Sequence, residues 1–305
     1  RSRGLGDVYK RQMLSCSLII PTYKRQNIVL ETLNHLNDQK INEAEVIVVD
    51  QSPHKLDDLL NFKFKSPNLK FNYVKISKVG LPNARNIGAQ SSKSELLIFI
   101  DDDCIPNSRL ISSYISIFSN FDEKVWCVGG RVNEDNTTMF KQNNKIIGGY
   151  FTWYGKTLKN FDTDLNGQCE WAPGGNFAVL RNKFLKVNGI DTNYIGNAML
   201  EDVDFGFSIN KSGGQVRYDP NPTIQHLRIP TGGTRDESAD KSMYYRSHNT
   251  VYFLRKHHRS FNLFPAFLYL NAVALKDLLQ KKHSLFAFIW CWKGFLDGFK
   301  RKILL

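Results

Sequence analysis

ELLIFIDDDCIP, Glu95 to Pro106, runs five apolar residues, Leu96 to Ile100, into three consecutive carboxylates, Asp101, Asp102 and Asp103. An unbroken apolar run of this length fits a β-strand buried on both faces, as in a parallel sheet covered by helices. Three like charges at the mouth of such a strand repel one another, so cationic groups belong beside them.

Working outward, three runs of the same kind precede it: CSLIIP (Cys16 to Pro21), EVIVVD (Glu45 to Asp50) and KFNYVKI (Lys70 to Ile76). Between the first two, Arg25 to Asp38 sets Ile28, Val29, Leu33 and Leu36 at helical spacing. Between the last two, LPNARNIGAQSS carries Pro82 where the first turn of a helix tolerates it. Strands alternating with helices predict a mostly parallel α/β sheet. Ligands of such sheets bind in the crevice beyond the strand C-termini. Thr22 with Tyr23, Asp50, and the aspartate triplet stand at three of those ends, so they are expected to line one cleft. The second half is less regular: Gly129-Gly130-Arg131, Gly174-Gly175-Asn176, an acidic cluster LEDVDFG (Leu200 to Gly206), and His226 after a proline-rich loop.

The bulk properties set the frame. A chain of 305 residues with 42% hydrophobic content can bury a sizeable core. Its five cysteines are odd in number, widely spaced and never in a C-x-x-C pair, which suggests neither a disulfide framework nor a zinc site and fits a reducing compartment. The opening RSRGLGDVYKRQ is polar and lacks the apolar core of an export signal. Met13 stands just before the first strand, and residues 1–12 are read as a non-native leader. The net charge of +12 is concentrated in Lys241 to Leu305, where twelve Lys or Arg face two acids, Asp277 and Asp297.

Two carboxylates one residue apart at a strand mouth suit a hard divalent cation, magnesium or manganese, that keeps positions open for phosphate oxygens. Taken alone, such a D-x-D pair is also what a solvated acidic loop looks like. In company the pattern is specific. From about Ser15 to Arg235 the chain resembles the family 2 glycosyltransferases of the GT-A fold. The resemblance is carried by SLIIPTYKR (17–25), VIVVDQS (46–52), GLPNARNIG (80–88), FIDDDCIP (99–106), VGGRV (128–132), GGNFAVLRNKFLKVNGID (174–191), LEDVDFG and IQHLR (224–228).

That resemblance implies a GT-A nucleotide-diphospho-sugar transferase domain over 13–240, with a nucleotide-binding half (13–106) and an acceptor half (107–240), followed by a basic, aromatic helical extension over 241–305. It implies a donor site lined by Pro21, Tyr23, Asp50, Arg85, Asp101, Asp102, Gly175 and Arg235. Asp50 would accept the imide N–H of uracil or thymine, or else it closes a turn. Gln51, after it, departs from the commonest family pattern. Asp101, Asp103 and His226 would hold Mn2+ or Mg2+, with Asp103 the direct ligand and Asp101 or Asp102 nearer the ribose. Asp202 would be the base that takes the acceptor proton, with Glu201 beside it; these acids also suit a helix N-terminus. Gly174-Gly175 would let backbone approach the donor sugar, or form a plain turn. Arg85 would sit by the nucleotide or brace the aspartates. Trp171 would stack on an acceptor sugar or sit in the core. Apart from the resemblance, Arg228 to Glu237 pairs glycines with Arg228 and Arg235 and reads either as a segment that closes over the diphosphate or as a plain connector. Specificity is expected in Asn133 to Asp164, with Tyr150, Phe151, Trp153 and Tyr154.

The function so implied is inverting transfer of a sugar from a nucleotide diphosphate donor to a hydroxyl of a glycan or lipid-linked acceptor, in bacterial surface polysaccharide synthesis. A sugar nucleotidyltransferase and a non-catalytic membrane-associated binding module are the alternatives. In the extension, Leu263 to Leu270 and Leu285 to Trp292 are too short to span a bilayer. Helices rich in Phe, Trp and Leu with interleaved Lys and Arg suit an anionic membrane surface, or packing on the domain or on a second subunit. No nucleic-acid-binding motif accompanies them, so nucleic acid is not an expected partner. The expected location is the cytoplasm, with peripheral attachment to the inner face of the plasma membrane.

Overall fold

The computed structural model describes residues 14–120, 122–134, 146–229, 231–233, 239–282 and 284–303. The leader 1–12 and Arg235 lie outside the described residues. The first half runs β1 (Cys16–Thr22), α1 (Gln26–Leu36), β2 (Ala44–Asp50), α2 (Asp57–Leu60), β3 (Leu69–Lys75), α3 (Leu81–Ser91) and β4 (Leu96–Ile100). β1 pairs in parallel with both β2 and β4, and β2 with β3. Pro82 sits in the first turn of α3, as its missing N–H allows.

The second half continues β5 (Cys104–Pro106), α4 (Leu110–Asn120), β6 (Val125–Asn133), β7 (Gly148–Phe151), β8 (Thr157–Asn160), β9 (Gly167–Cys169), β10 (Asn176–Leu180), α5 (Arg181–Lys186), α6 (Glu201–Lys211) and β11 (Gln215–His226). It extends the same sheet, in the order β3-β2-β1-β4-β10-β6-β11-β5, with β9 on β11 and β7-β8 as a separate pair. β10 runs antiparallel between β4 and β6.

Strand side chains alternate between two buried faces. Leu18, Ile20, Val46, Val48, Leu96, Ile98 and Ile100 meet Leu33 and Leu36 of α1 and Tyr114 of α4. Ile19, Ile47, Val49, Leu97 and Phe99 meet Ala84 of α3, Phe184 of α5, and Val203 and Phe205 of α6. Burial on both faces explains why these strands read as continuous apolar runs.

Three helices follow: α7 (Ala239–Lys256), α8 (Leu263–Leu279) and α9 (Phe286–Lys300). The boundary expected at residue 240 falls inside α7, whose Tyr252, Phe253 and Leu254 join the same core cluster as the sheet. Lys256 ties that helix down, with its Nζ 2.7 Å from Asp191 Oδ2 and 2.8 Å from Asp204 Oδ2. His257 Nε2 lies 2.7 Å from the other Asp204 oxygen. The charge step seen in the sequence is therefore not a packing step; α7 belongs to the core, and the exposed basic residues beyond it are the lysines along and beside α8 and α9.

Candidate active site

Strand order reverses at β1: β2 and then β3 extend the sheet on one side of it, and β4 pairs with its other side; a crevice opens at such a switch point. Two cavities lie there, one of about 100 Å³ beside the aspartate triplet and one of about 660 Å³ beyond the ends of β2 and β3. Tyr23 and Gln51 line both, so they form one trench. Its larger part falls within the size of small-molecule sites.

The cations beside the triplet are Arg25 and Arg85, and the His226 imidazole joins them. Arg25 is buried, and its Nη1 lies 2.9 Å from Asp102 Oδ1 and 3.4 Å from Asp103 Oδ2. Its remaining N–H groups donate to the carbonyls of Ile229 (2.8 Å), Thr231 (3.0 Å) and Gly232 (3.3 Å), which pulls that segment onto the cluster. Arg85 donates to Glu201, to Asp101 Oδ1 at 3.2 Å and to the Gly174 carbonyl at 2.7 Å. His226, the last residue of β11, lies with Nε2 3.0 Å from Asp103 Oδ1 and 3.8 Å from Asp101 Oδ2. Antiparallel pairing of β11 with β5 puts it there, through the register His226 to Cys104. A chain of contacts thus runs from Glu201 through Arg85, Asp101, His226, Asp103 and Arg25 to Asp102.

The three aspartates have different environments. Asp102 is buried, accepts from Thr22 Oγ1 at 2.7 Å and from Arg25, and burial pushes its carboxyl up to about 6 against those two partners. Asp103 has 1% side-chain exposure and also accepts from the Ile229 N–H at 3.1 Å. Asp101, at 28%, is the most open of the three.

Ligand atoms on an octahedral ion at about 2.1 Å stand about 3.0 Å apart when adjacent and about 4.2 Å apart when opposite. His226 Nε2 and Asp103 Oδ1, 3.0 Å apart, have the spacing of adjacent ligands of a magnesium- or manganese-type ion, whereas Asp101 Oδ2, 3.8 Å from Nε2, is not brought into one ligand group with both of them. Cys104 also lies within ligand range of Asp103 and His226. Burial holds its thiol protonated, well above the usual value, and sulfur suits neither ion.

Gly175 passes close to this group, and a Cβ there would stand 2.6 Å from Asp101 Oδ2. Gly175→Ala is therefore expected to displace Asp101 and lower turnover by about 10- to 100-fold, by the steep dependence of rate on placement. Far-ultraviolet circular dichroism should stay unchanged. Turnover within twofold of wild type would mean that the Asp101 position is immaterial.

α6 carries the acidic cluster. Its N-cap residue Leu200 is left-handed at φ 75° and offers no side-chain cap, so Glu201, Asp202 and Asp204 face the exposed N–H end of the helix. Glu201 turns inward to Arg85, and burial pushes its carboxyl above the ordinary range against the pull of that guanidinium. Asp204 is held by Lys256 and His257. Asp202 is half-buried and accepts the Val203 N–H at 2.9 Å; burial raises its carboxyl as well.

Two residues sit differently from one of their expected readings. Asp50 is fully buried, with Oδ1 accepting the Ser52 N–H at 2.8 Å, Oδ2 accepting the Tyr73 hydroxyl at 2.6 Å, and Lys75 at 3.8 Å. It closes a turn behind the trench, as the alternative reading had it. The wall is instead formed by Gln51, Ser52, Lys55 and Lys75. Trp171, with 4% exposure, packs edge-on to Phe161 and against Gly149 and Gly206, which leave room for the indole; it is a core residue and offers no platform to a sugar. In the segment where specificity is expected, Trp153 is open, at 63%. Pro21, Tyr23 and Arg25 line the trench; the sequence analysis assigned Arg25 no role.

Residues 17–187 match the family model described as Glycosyl transferase family 2. Chondroitin synthase of Escherichia coli is 25% identical over 292 residues, which cover 84% of this chain and 42% of that protein. The chain spans less than half the length of the first curated relatives it matches. Among solved structures, Staphylococcus aureus TarS 1–349 in complex with UDP-GlcNAc superposes with TM-score 0.64 at 14% identity, covering 94% of this chain and 81% of that one. The mannosyltransferase PcManGT from Pyrobaculum calidifontis in complex with GDP-Man and Mn2+ gives TM-score 0.58 at 14% identity, over 94% and 86% of the two chains. These likenesses establish the GT-A fold.

Proposed function

The chain belongs to glycosyl transferase family 2, and on that premise we propose that it moves a sugar from a nucleotide diphosphate donor to a hydroxyl of a glycan or lipid-linked glycan. The donor is uridine- or thymidine-linked, the product has inverted configuration, and the setting is bacterial surface polysaccharide synthesis at the inner face of the plasma membrane. One observation carries the reading: Asp103 and His226 meet at ligand spacing, with Asp101 beside them, at the acidic end of a trench that opens at the switch point of the sheet. Neighbours bound to UDP-GlcNAc, and to GDP-Man with Mn2+, support a donor of that class.

In this reading the nucleoside occupies the larger part of the trench, by Gln51, Lys55 and Lys75, and the diphosphate lies toward Asp101 and Asp103. Asp103 and His226, with Asp101 beside them, would hold a divalent ion, which would supply neutralisation of the leaving diphosphate. Arg85 keeps Asp101 and Glu201 in place. A departing diphosphate needs no proton donor, so a single carboxylate base is enough, and that base is Asp202. Glycoside hydrolysis needs a second carboxyl because its leaving group is an alkoxide. Attack from the face opposite the diphosphate inverts the anomeric carbon.

The test is thermal denaturation with UDP, dTDP, GDP and CDP, each with and without Mn2+, followed by NMR of the product anomer. Saturating UDP or dTDP with metal should raise the midpoint by roughly 3–6 °C, from about 2.7 kcal/mol of binding linkage at a hundredfold excess over Kd. No shift with any nucleotide would favour the binding-module reading. Pyrophosphate release from UTP and a sugar phosphate would favour a nucleotidyltransferase, and a retained anomer would exclude the single-displacement mechanism.

A further inference from the structure

We propose that the outer faces of α8 and α9 form one docking surface for an anionic lipid bilayer. It extends the peripheral location in the reading above and is independent of the donor site, so nucleotide binding can succeed or fail without changing its test.

α9 packs on α7 through its smallest residues. Ala287, Cys291, Gly294 and Gly298 are buried, and a Cβ on Gly294 would stand 2.2 Å from the Tyr244 carbonyl oxygen. Its bulky residues face the other way: Ile289 is 62% exposed, Trp292 55% and Leu296 63%. α8 repeats the arrangement, with Ala266, Leu270 and Ala274 buried while Leu268 and Leu275 are 53% and 49% exposed. Helices that pack only within a soluble domain put their large apolar side chains inward. Here both helices put many of them outward.

The two outer faces are joined into a single surface. Trp292 Nε1 donates to Asn271 Oδ1 at 2.8 Å, between Leu268 and Leu275 on α8, and the Trp292 and Phe267 rings lie 6.0 Å apart. An apolar surface of this extent, shared by two helices, marks an interaction site. No helix among the described residues is long and apolar enough to cross a membrane, so these two would lie in the interface plane.

Charge selects the occupant. Lys276, Lys281, Lys282, Lys293, Lys300 and Lys302 are exposed along or beside these helices. The acids of the two helices are Asp277 and Asp297, and Asp297 is already bonded by Lys300 and by the Tyr244 hydroxyl. Apolar side chains rimmed by lysines match acyl chains beneath anionic headgroups. A second copy of the chain would instead bring lysines against lysines.

The experiment is flotation of the full chain with vesicles of phosphatidylcholine alone, or of equal parts phosphatidylglycerol and phosphatidylcholine, at low and high salt. Partitioning onto the anionic vesicles should exceed that onto neutral ones by about tenfold or more and fall as salt rises. The double variant Ile289→Glu with Leu296→Glu changes exposed positions, so it should keep its melting temperature while losing at least about tenfold in anionic-vesicle binding. Equal flotation of variant and wild type, or no flotation on either vesicle, overturns the proposal. A doubling of mass in sedimentation that the same variant abolishes would assign the face to a second copy.

Discussion

Asp103→Asn should abolish the manganese-dependent stabilisation by UDP and lower donor turnover by about 10³-fold or more, the loss of some 4 kcal/mol of charge stabilisation at the diphosphate. Asn keeps the size of the side chain and removes its charge. Asp103 is the best-held member of the cluster, with His226 Nε2 at 3.0 Å on one oxygen and the Ile229 N–H at 3.1 Å on the other. Arg25 remains paired with Asp102 at 2.9 Å, so no orphaned guanidinium is left behind to confuse loss of function with unfolding. Circular dichroism and the nucleotide-free melting temperature are the controls. An Asn variant with a wild-type metal-dependent shift would show that Asp103 is not a ligand. EDTA treatment of wild-type protein should reproduce the loss of the UDP shift, and excess Mn2+ should restore it.

What could be read from the chain beforehand follows contact range. The strands were legible because burial on both faces leaves a local mark, an apolar run ending in polar residues. Asp101 and Asp103 announce themselves for the same reason. Arg25 does not: its partners Ile229, Thr231 and Gly232 lie more than two hundred residues away, and nothing in PTYKRQN distinguishes a buried clamp from a solvated cation. Asp50 and Gln51 are adjacent, and only the turn that directs Asp50 toward Tyr73 and Ser52 decides which of them meets the trench. The charge step near residue 240 was real as composition and misleading as a boundary, because α7 buries Tyr252 and Phe253 in the core while the lysines beyond it stay outside. Trp171 could be read either as a sugar platform or as core; the absence of side chains at Gly149 and Gly206 decides for core.

Asp202→Asn should lower kcat by about 10² to 10⁴-fold while leaving the donor KM and the UDP thermal shift within about twofold of wild type. The geometry of α6 singles out this carboxylate. Consecutive helical residues point about 100° apart, so the three acids of its first turn meet different surroundings. Glu201 is committed to Arg85, and Asp204 to Lys256 and His257. Among the described residues no Lys, Arg or His lies within salt-bridge distance of Asp202, whose Oδ1 accepts the Val203 N–H. A base must be free to take a proton, and one already neutralised by a buried cation is a poor one. Burial raises the Asp202 carboxyl above the ordinary aspartate range, and a raised pKa makes it a stronger proton acceptor. The sign of the pH dependence follows: the deprotonated form is the active one, so kcat/KM should fall as pH drops through that raised value. The residual activity of Asp202→Asn should lack this acid limb. Glu201→Gln separates positioning from chemistry, since it loosens Arg85 and Asp101 and should disturb nucleotide binding, which Asp202→Asn does not. Transfer by Asp202→Asn within threefold of wild type, or an acid limb that survives the substitution, would move the role of base to another residue.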